Sequence, residues 1–156
     1  MNKPVSYRKI KKGDEFKIFN LIESVFNQFV APEYSQEGID EFMKYIQPDA
    51  LLERLTTDHF GIVALVDSQI IGIIMIRDFN HIALLFVDSL HQQKGVGKEL
   101  FERALQVCAE HKSKPFSITV NSSPNSVDAY RHLGFEPTKP EQCVNGIRFV
   151  PMFVDS

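Results

Sequence analysis

The chain has 156 residues, of which 44% are hydrophobic and 24% are charged, and this is the size and composition of one ordinary globular domain. Seventeen basic and twenty acidic residues give a net charge of −3, which argues against a protein whose main task is to neutralise a nucleic-acid backbone. We therefore expect a single domain over residues 1–156 and no nucleic-acid partner.

The start of the chain and its apolar runs bear on the compartment. The N-terminal segment has neither the apolar core nor the small-residue cleavage site of a secretory signal, and Ile70–Ile76 is far shorter than the ~20 residues that span a bilayer. Cys108 and Cys143 are too few for a disulfide framework, and no His, Cys and Asp cluster has metal-ligand spacing. We expect a cytoplasmic protein with no metal and no membrane partner.

Apolar spacing predicts helices in the first third of the chain and strands after it. Positions three and four apart indicate amphipathic helices, whereas short β-branched runs joined by a few residues indicate an antiparallel meander. The predicted elements up to residue 87 are a strand at Val5–Ile10, a helix from Asp14 to a stop at Ala31-Pro32, a helix at Ser35–Ile46, a short helical piece at Asp49–Leu55, and strands at Phe60–Val66, Ile70–Ile76 and Ile82–Val87.

The second half of the chain adds a strand–helix–strand unit and a final strand pair. Its predicted elements are a helix from Val96 to His111, a strand at Phe116–Val120, a short helix from Ser123 to Leu133, an extended piece from Phe135, and a strand at Gly146–Val154. An antiparallel meander followed by this unit predicts an α+β domain.

The turn between Gln92 and Lys98 is the most informative segment of the sequence. Glycines at the start of a helix concentrate unpaired N–H groups at the positive end of the helix dipole, an arrangement that suits phosphate or diphosphate. Gly95 and Gly97 let the backbone approach an anion closely, and Lys94 and Lys98 add positive charge. From these residues alone, the two glycines either bind an anion or merely begin the helix.

Two well-known phosphate loops do not fit this turn. A dinucleotide-binding fingerprint needs a third glycine where the chain has Leu100. A Walker-type loop needs Ser or Thr after Gly97-Lys98, where the chain has Glu99.

Two motifs together resemble those of the GNAT N-acetyltransferase superfamily. Gln92-x-x-Gly95-x-Gly97, between a strand and a long helix, is similar to the acetyl-CoA-binding motif of that family. Tyr130-x-x-x-Gly134-Phe135 resembles a segment in the last third of those enzymes. The resemblance covers nearly the whole chain, and it implies a GNAT-like fold: a central, mixed, mostly antiparallel sheet of about six to seven strands, flanked by helices, with a splayed parallel strand pair at the cofactor site.

The resemblance also implies where acetyl-CoA would bind as a cosubstrate. Phe86 and Val87 would pair their main chain with the pantetheine arm. The family often has Asn where this chain has Ser123, so Asn125 is the nearby candidate for that polar contact; alternatively, Ser123 or Asn125 caps the following helix. The diphosphate would be held by the N–H groups of residues 93 to 98. The motif residues expected to bind the coenzyme are Gln92, Gln93, Lys94, Gly95, Val96, Gly97 and Lys98.

Acetyl transfer needs a proton donor for the departing thiolate and a neutral amine. Tyr130 matches the family's general-acid position, and we expect it to protonate the thiolate; the alternative is a core tyrosine. His81, at the start of a strand, falls where some members carry a catalytic Glu, so it is a candidate base or else merely finishes a turn. Asp88 and a water chain are further candidates for the base, although Asp88 also suits the turn into the glycine motif.

The resemblance implies an N-acetyltransferase that uses acetyl-CoA, attacks directly in a ternary complex, and takes a small-molecule or peptide amine as acceptor. An acyl-CoA-binding sensor with the same fold and no efficient turnover is the alternative. Either a monomer or a homodimer is compatible with the sequence. In the region of the first two helices, four aromatic residues either line an acceptor pocket or belong to the core: Phe26, Phe29, Tyr34 and Phe42. Three acidic residues there either attract a cationic amine or form a solvated helix face: Glu33, Glu37 and Asp40.

Overall fold

A computed structural model describes residues 3–112 and 116–155 of the chain. The helices are α1 (Glu15–Phe29), α2 (Gln36–Tyr45), α3 (Pro48–Leu55), α4 (Val96–His111) and α5 (Val127–His132), with short 3₁₀ turns at Ala31–Glu33, Ser89–His91 and Pro124–Ser126. The strands are β1 (Ser6–Lys9), β2 (His59–Val66), β3 (Gln69–Arg77), β4 (His81–Val87), β5 (Ser117–Ser122), β6 (Glu136–Pro137), β7 (Gln142–Val144) and β8 (Ile147–Asp155). Within the described ranges, none of the helices has the length and apolar character needed to cross a bilayer.

The strands form one mixed sheet in the order β1-β2-β3-β4-β5-β8-β6, and β7 pairs with β8 outside this path. Every pairing is antiparallel except that of β4 with β5. The predicted α+β class, meander and parallel pair are confirmed. The prediction missed β7, because a three-residue strand gives almost no periodicity; it forms a hairpin with β8 on the left-handed turn Asn145-Gly146.

Helices cover both faces of the sheet and divide the core in two. The face under α4 and α5 includes Leu100, Phe101 and Phe135, whereas the face under α1 and α3 includes Ile22 and Leu51. The central strand β3 supplies both faces, so all seven residues from 70 to 76 are buried. That is why this strand reads as an unbroken apolar run instead of an alternation.

The parallel pairing of β4 with β5 is short. It joins His81 to Thr119 and Ile82 to Val120, and no further pair follows along either strand. Beyond these two residue pairs the strands separate, which confirms the predicted splay. The main chain of β4 from residue 83 to residue 87 therefore has a strand partner on its β3 side alone.

The β7–β8 hairpin is fixed against α2 by a contact between two glycines. A Cβ atom built on Gly38 would collide with the main-chain carbonyl of Gly146, and a Cβ on Gly146 would lie 2.5 Å from the Gly38 nitrogen. Ser35 caps α2 by accepting a hydrogen bond from the Gly38 N–H at 3.2 Å. The two backbones approach this closely only because neither residue has a side chain.

Substituting Gly38→Ala is expected to destabilise the domain by about 1–3 kcal/mol, because overpacking against a backbone atom outweighs the ~1 kcal/mol that alanine gains in a helix. Urea unfolding would measure the change in the free energy of unfolding. Gln36→Ala, an exposed position on the same helix, is the matched control and should change stability little. Equal stability of Gly38→Ala and the wild type would contradict the close contact.

Candidate active site

A cavity of about 1030 Å³ lies where β4 and β5 separate. Its walls come from three parts of the chain: the glycine motif with the end of β4, the 3₁₀ turn and α5 that follow β5, and α1 and α2 with the β7–β8 hairpin. The splay of the parallel pair thus opens a cleft in the middle of the sheet.

The glycine motif presents main-chain donors at the start of α4. Gly95 precedes the helix in the left-handed conformation, with φ +84°, and no side chain caps the helix. The first bond into the helix runs from the Glu99 N–H to the Gly95 carbonyl at 3.0 Å. The N–H groups of Val96, Gly97 and Lys98 are therefore left for a ligand, with the positive end of the helix dipole behind them.

The space in front of the motif fits an anionic group. A Cβ on Gly95 would meet nothing within 4 Å, and one on Gly97 would meet a single atom, Cγ2 of Val87, at 3.8 Å. The side-chain amide of Gln92 donates to the Val87 carbonyl at 2.8 Å, which ties the motif to the end of β4. These glycines are therefore not needed for packing, and the open donors suit a diphosphate.

Most of the residues predicted to bind the coenzyme lie at this cavity, and two do not. The side chain of Val96 is buried in the core below α4, so only its main chain faces the motif, and Lys94 is exposed outside the cavity. The predicted residues that line the cavity are Phe86, Val87, Gln92, Gln93, Gly95, Gly97, Lys98 and Asn125.

Asn125 links two walls of the cavity. Its side-chain amide donates to the Phe29 carbonyl at 2.9 Å, across 96 residues of chain. The capping role predicted as the alternative is wrong, because no side chain caps either the 3₁₀ turn or α5. Ser123 instead donates from its hydroxyl to the Ser126 hydroxyl at 3.0 Å. Asn125 also lines the cavity, and its side-chain carbonyl oxygen has no hydrogen-bond partner among the described residues.

Tyr130 lies on α5 with its ring packed against Phe135, at 5.5 Å between ring centroids. The residue is 8% exposed and lines the cavity. In the described part of the chain, every fully buried side-chain N or O atom has a hydrogen-bond partner. The Tyr130 hydroxyl has no partner, so it is not fully buried, and it is exposed to the cavity that Tyr130 lines. Tyr130 therefore combines a core ring with a free donor.

Burial raises the pKa of Tyr130 above the ordinary value near 10. The hydroxyl consequently keeps its proton throughout the neutral range, as a proton donor must. Complete transfer to a thiolate of pKa about 8.5 would be unfavourable, contrary to the simple expectation from sequence. A hydrogen bond from the hydroxyl, with partial transfer as negative charge develops, is the role that its acidity permits.

His81 does not line the cavity. It stands at the closed end of the β4–β5 pair, where its Nδ1 lies 2.7 Å from the Thr119 hydroxyl. Burial, helped by the charge of Arg77, lowers the pKa of His81 to about 4, so the imidazole is neutral and weakly basic at neutral pH. This placement counts against His81 as the base.

Asp88 serves the turn after β4, as the alternative predicted. Its carboxylate lies 3.1 Å from Nδ1 of His91, and its N–H donates to the Ile71 carbonyl at 2.8 Å. It lines a separate cavity of about 510 Å³ beside α1.

His132, to which the sequence assigned no role, lines the main cavity two residues after Tyr130. Its Nδ1 lies 2.7 Å from the Asp128 carbonyl, which can only accept, so the Nδ1 atom carries the hydrogen and Nε2 is left as an acceptor. The carboxylate and imidazole side chains that line the cavity are those of Glu41, Asp128 and His132.

The acceptor wall is defined here as Phe26, Phe29, Tyr34, Phe42 and Tyr45, all of which line the cavity from α1, α2 and their connection. Four of these residues are the aromatic positions predicted for an acceptor pocket. The predicted acids Glu33, Glu37 and Asp40 do not line the cavity, whereas Glu41 does. Sequence reasoning missed Glu41, although it precedes Phe42 and stands four residues before Tyr45, which places it beside them on α2.

Comparison with known proteins places this architecture among acetyltransferases. A family model described as an acetyltransferase (GNAT) domain matches residues 30–156. No curated protein sequence matches the chain.

Solved structures share the fold at low sequence identity. A GCN5-related N-acetyltransferase from Rhodopseudomonas palustris has a TM-score of 0.84 at 17% identity, over 100% of this chain and 99% of that one. PaiA N-acetyltransferase from Thermoplasma acidophilum, in complex with coenzyme A, has a TM-score of 0.80 at 20% identity, over 98% of this chain and 99% of that one. An aminoglycoside 6'-N-acetyltransferase complexed with coenzyme A has a TM-score of 0.67 at 10% identity, over 96% of each chain.

Proposed function

Because the chain belongs to the GNAT acetyltransferase family, we propose that it is an N-acetyltransferase that moves the acetyl group of acetyl-CoA to a primary amine by direct attack in a ternary complex. The observation that carries the proposal is the cavity itself. It joins open main-chain donors at the start of α4, an unpaired edge of β4 and the Tyr130 hydroxyl in one space. The two structural neighbours solved with coenzyme A support the choice of cosubstrate.

The residues of the motif and of β4 would hold the coenzyme. The N–H groups of Val96, Gly97 and Lys98 bind the diphosphate, and the Lys98 ammonium adds charge at the same end of the cavity. The side of β4 that faces away from β3 supplies main-chain donors and acceptors to an extended amide chain, as a neighbouring strand would. At this end of the strand that side carries the N–H and carbonyl of Leu85 and the N–H of Val87, because the main-chain groups of Phe86 point to β3 and the Val87 carbonyl accepts from Gln92.

Bound acetyl-CoA supplies an activated acetyl group, so that the amine nitrogen bonds to the carbonyl carbon, the carbon–sulfur bond breaks and the sulfur takes up a proton. The Tyr130 hydroxyl donates a hydrogen bond toward that sulfur and remains a phenol between turnovers, since burial raises its pKa. An acceptor that arrives as an ammonium loses two protons in all, of which one ends on the sulfur and one is released, and Nε2 of His132 and the water of the open cavity are the groups at hand to carry them.

Calorimetry with acetyl-CoA and a thiol-release assay with a panel of amines would test this function. We expect saturable binding of acetyl-CoA and amine-dependent release of CoA. Binding without turnover across a broad panel would favour the alternative, an acyl-CoA sensor with the same fold. Absence of binding to the folded protein would overturn both.

A further inference from the structure

Resting on the proposed function, we propose that the acceptor is an arylalkylamine, a primary amine on a short arm that carries an aromatic ring, and that Glu41 binds its ammonium group. The ring would pack on the acceptor wall, and the amino group would then lie on the cavity side of that wall.

Four rings of the acceptor wall, all except Phe29, pack in one cluster that reaches β4. Phe42 stacks on Phe26 at 4.2 Å between centroids, Tyr34 meets Phe26 edge-on at 5.5 Å, and Phe42 lies 6.0 Å from Phe86 of β4. The described residues include four large hydrophobic side chains that are exposed, and two of them, Phe29 and Val144, line this cavity. Such a surface gains most from covering by another apolar group.

Two polar groups at the wall, one on Tyr34 and one on Asn125 beside it, are already used within the protein. The Tyr34 hydroxyl donates to the Arg148 carbonyl at 3.0 Å, and the Asn125 amide donates to the Phe29 carbonyl at 2.9 Å. A polyhydroxylated acceptor pressed against the phenylalanine rings of this wall would lose hydrogen bonds to water that those rings cannot replace. The wall therefore disfavours sugar-like amines.

The charge at the acceptor wall suits an acceptor that carries a single positive charge. Glu41 is the acidic residue that lines the cavity from α2, and its nearest cation, Lys44, stands 3.9 Å away with its side chain 79% exposed. The other acid at the cavity, Asp128, belongs to α5. One carboxylate beside a set of rings matches a monoamine with an apolar body, and it leaves the extra charges of a polyamine unpaired.

The test compares 2-phenylethylamine with n-butylamine, spermidine, kanamycin and a lysine-containing peptide in a thiol-release assay at saturating acetyl-CoA. We expect kcat/KM for 2-phenylethylamine to exceed each of the others by at least about tenfold, because covering a ring gives a gain of that order. Equal or better turnover of spermidine, kanamycin or the peptide would overturn this proposal while leaving the acetyltransferase function intact.

Two variants test the wall itself. Glu41→Gln should raise KM for 2-phenylethylamine about three- to fivefold with kcat retained, since the carboxylate is partly exposed, whereas Glu37→Gln on the same helix should match the wild type. Phe29→Ala, at a position 37% exposed and therefore safe for folding, should lower kcat/KM for 2-phenylethylamine by a larger factor than kcat/KM for n-butylamine. Wild-type kinetics in both variants would overturn the proposal.

A binding measurement keeps the two proposals distinguishable. Ligand-observed NMR with 2-phenylethylamine, in the absence of coenzyme, measures binding of the amine to the acceptor wall alone. We expect binding that weakens in Glu41→Gln and Phe29→Ala. Acetyl-CoA binding without any binding of this amine would overturn the acceptor class, whereas amine binding without acetyl-CoA binding would overturn the acetyltransferase function.

Discussion

Replacing Tyr130 by phenylalanine is expected to lower kcat by about 10²–10⁴-fold, the contribution typical of a positioned proton donor, while acetyl-CoA still binds. The change should leave stability almost unaltered, because the hydroxyl has no hydrogen-bond partner among the described residues and the ring keeps its packing on Phe135. Burial raises the pKa of the hydroxyl, so the donor stays protonated as pH rises and Tyr130 should produce no fall in kcat between pH 7 and pH 9. Steady-state kinetics over that range would measure both effects.

Tyr7→Phe is the matched control for this substitution. Tyr7 lies on β1, away from the cavity, and packs beneath Arg103 at 4.5 Å from its guanidinium carbon. The same chemical change there should leave kcat at the wild-type value. If Tyr130→Phe retained full activity at saturating substrate across pH, the tyrosine would be a core residue and nothing more.

Substituting Gly97→Glu is expected to weaken acetyl-CoA binding by about 100-fold or more. The new side chain fills the open space before the N–H donors and repels the diphosphate, and each charge-assisted bond lost is worth about 1.5–3 kcal/mol. The unliganded fold should tolerate the change, because a Cβ at this position meets one atom at 3.8 Å and helices disfavour glycine. Calorimetry gives the dissociation constant, and thermal unfolding gives the stability.

Two further variants separate the causes of this loss. Gly97→Gln has the bulk without the charge and should bind more weakly than the wild type but better than Gly97→Glu. Gln106→Glu places the same charge on the exposed face of α4, away from the cavity, and should bind normally. Wild-type affinity in Gly97→Glu would show that the coenzyme does not use this motif.

Periodicity predicted the fold well where elements are long and buried on a consistent face. The helix from Glu15 to Phe29 and the strand from Gln69 to Arg77 differ from their predicted bounds by one or two residues. The prediction failed for β7, because a strand of three residues depends on its pairing with β8 and not on its own sequence, whereas β6 lies in the extended piece predicted from Phe135.

The site was predictable at the coenzyme end and less so elsewhere. The glycine motif is local, so its conformation follows from adjacent residues. The surroundings of His81, Asn125 and Glu41 are set by distant segments: Thr119 for the first, Phe29 for the second, and the packing of α2 against β8 for the third. Contacts between segments that far apart leave no mark in the spacing of one stretch of chain.

The two-residue parallel ladder has a consequence for solubility. A strand with free N–H and C=O groups usually invites aggregation, and proteins protect outer edges with charge, brevity or proline. The outer edges of this sheet carry such protection: β1 has four residues with Arg8 and Lys9, and β6 is Glu136-Pro137. The free stretch of β4, Ala83–Val87, is wholly apolar and has none. Because β4 lies between β3 and β5, that stretch is inside the sheet and not at an outer edge, where a strand of another molecule could pair with it.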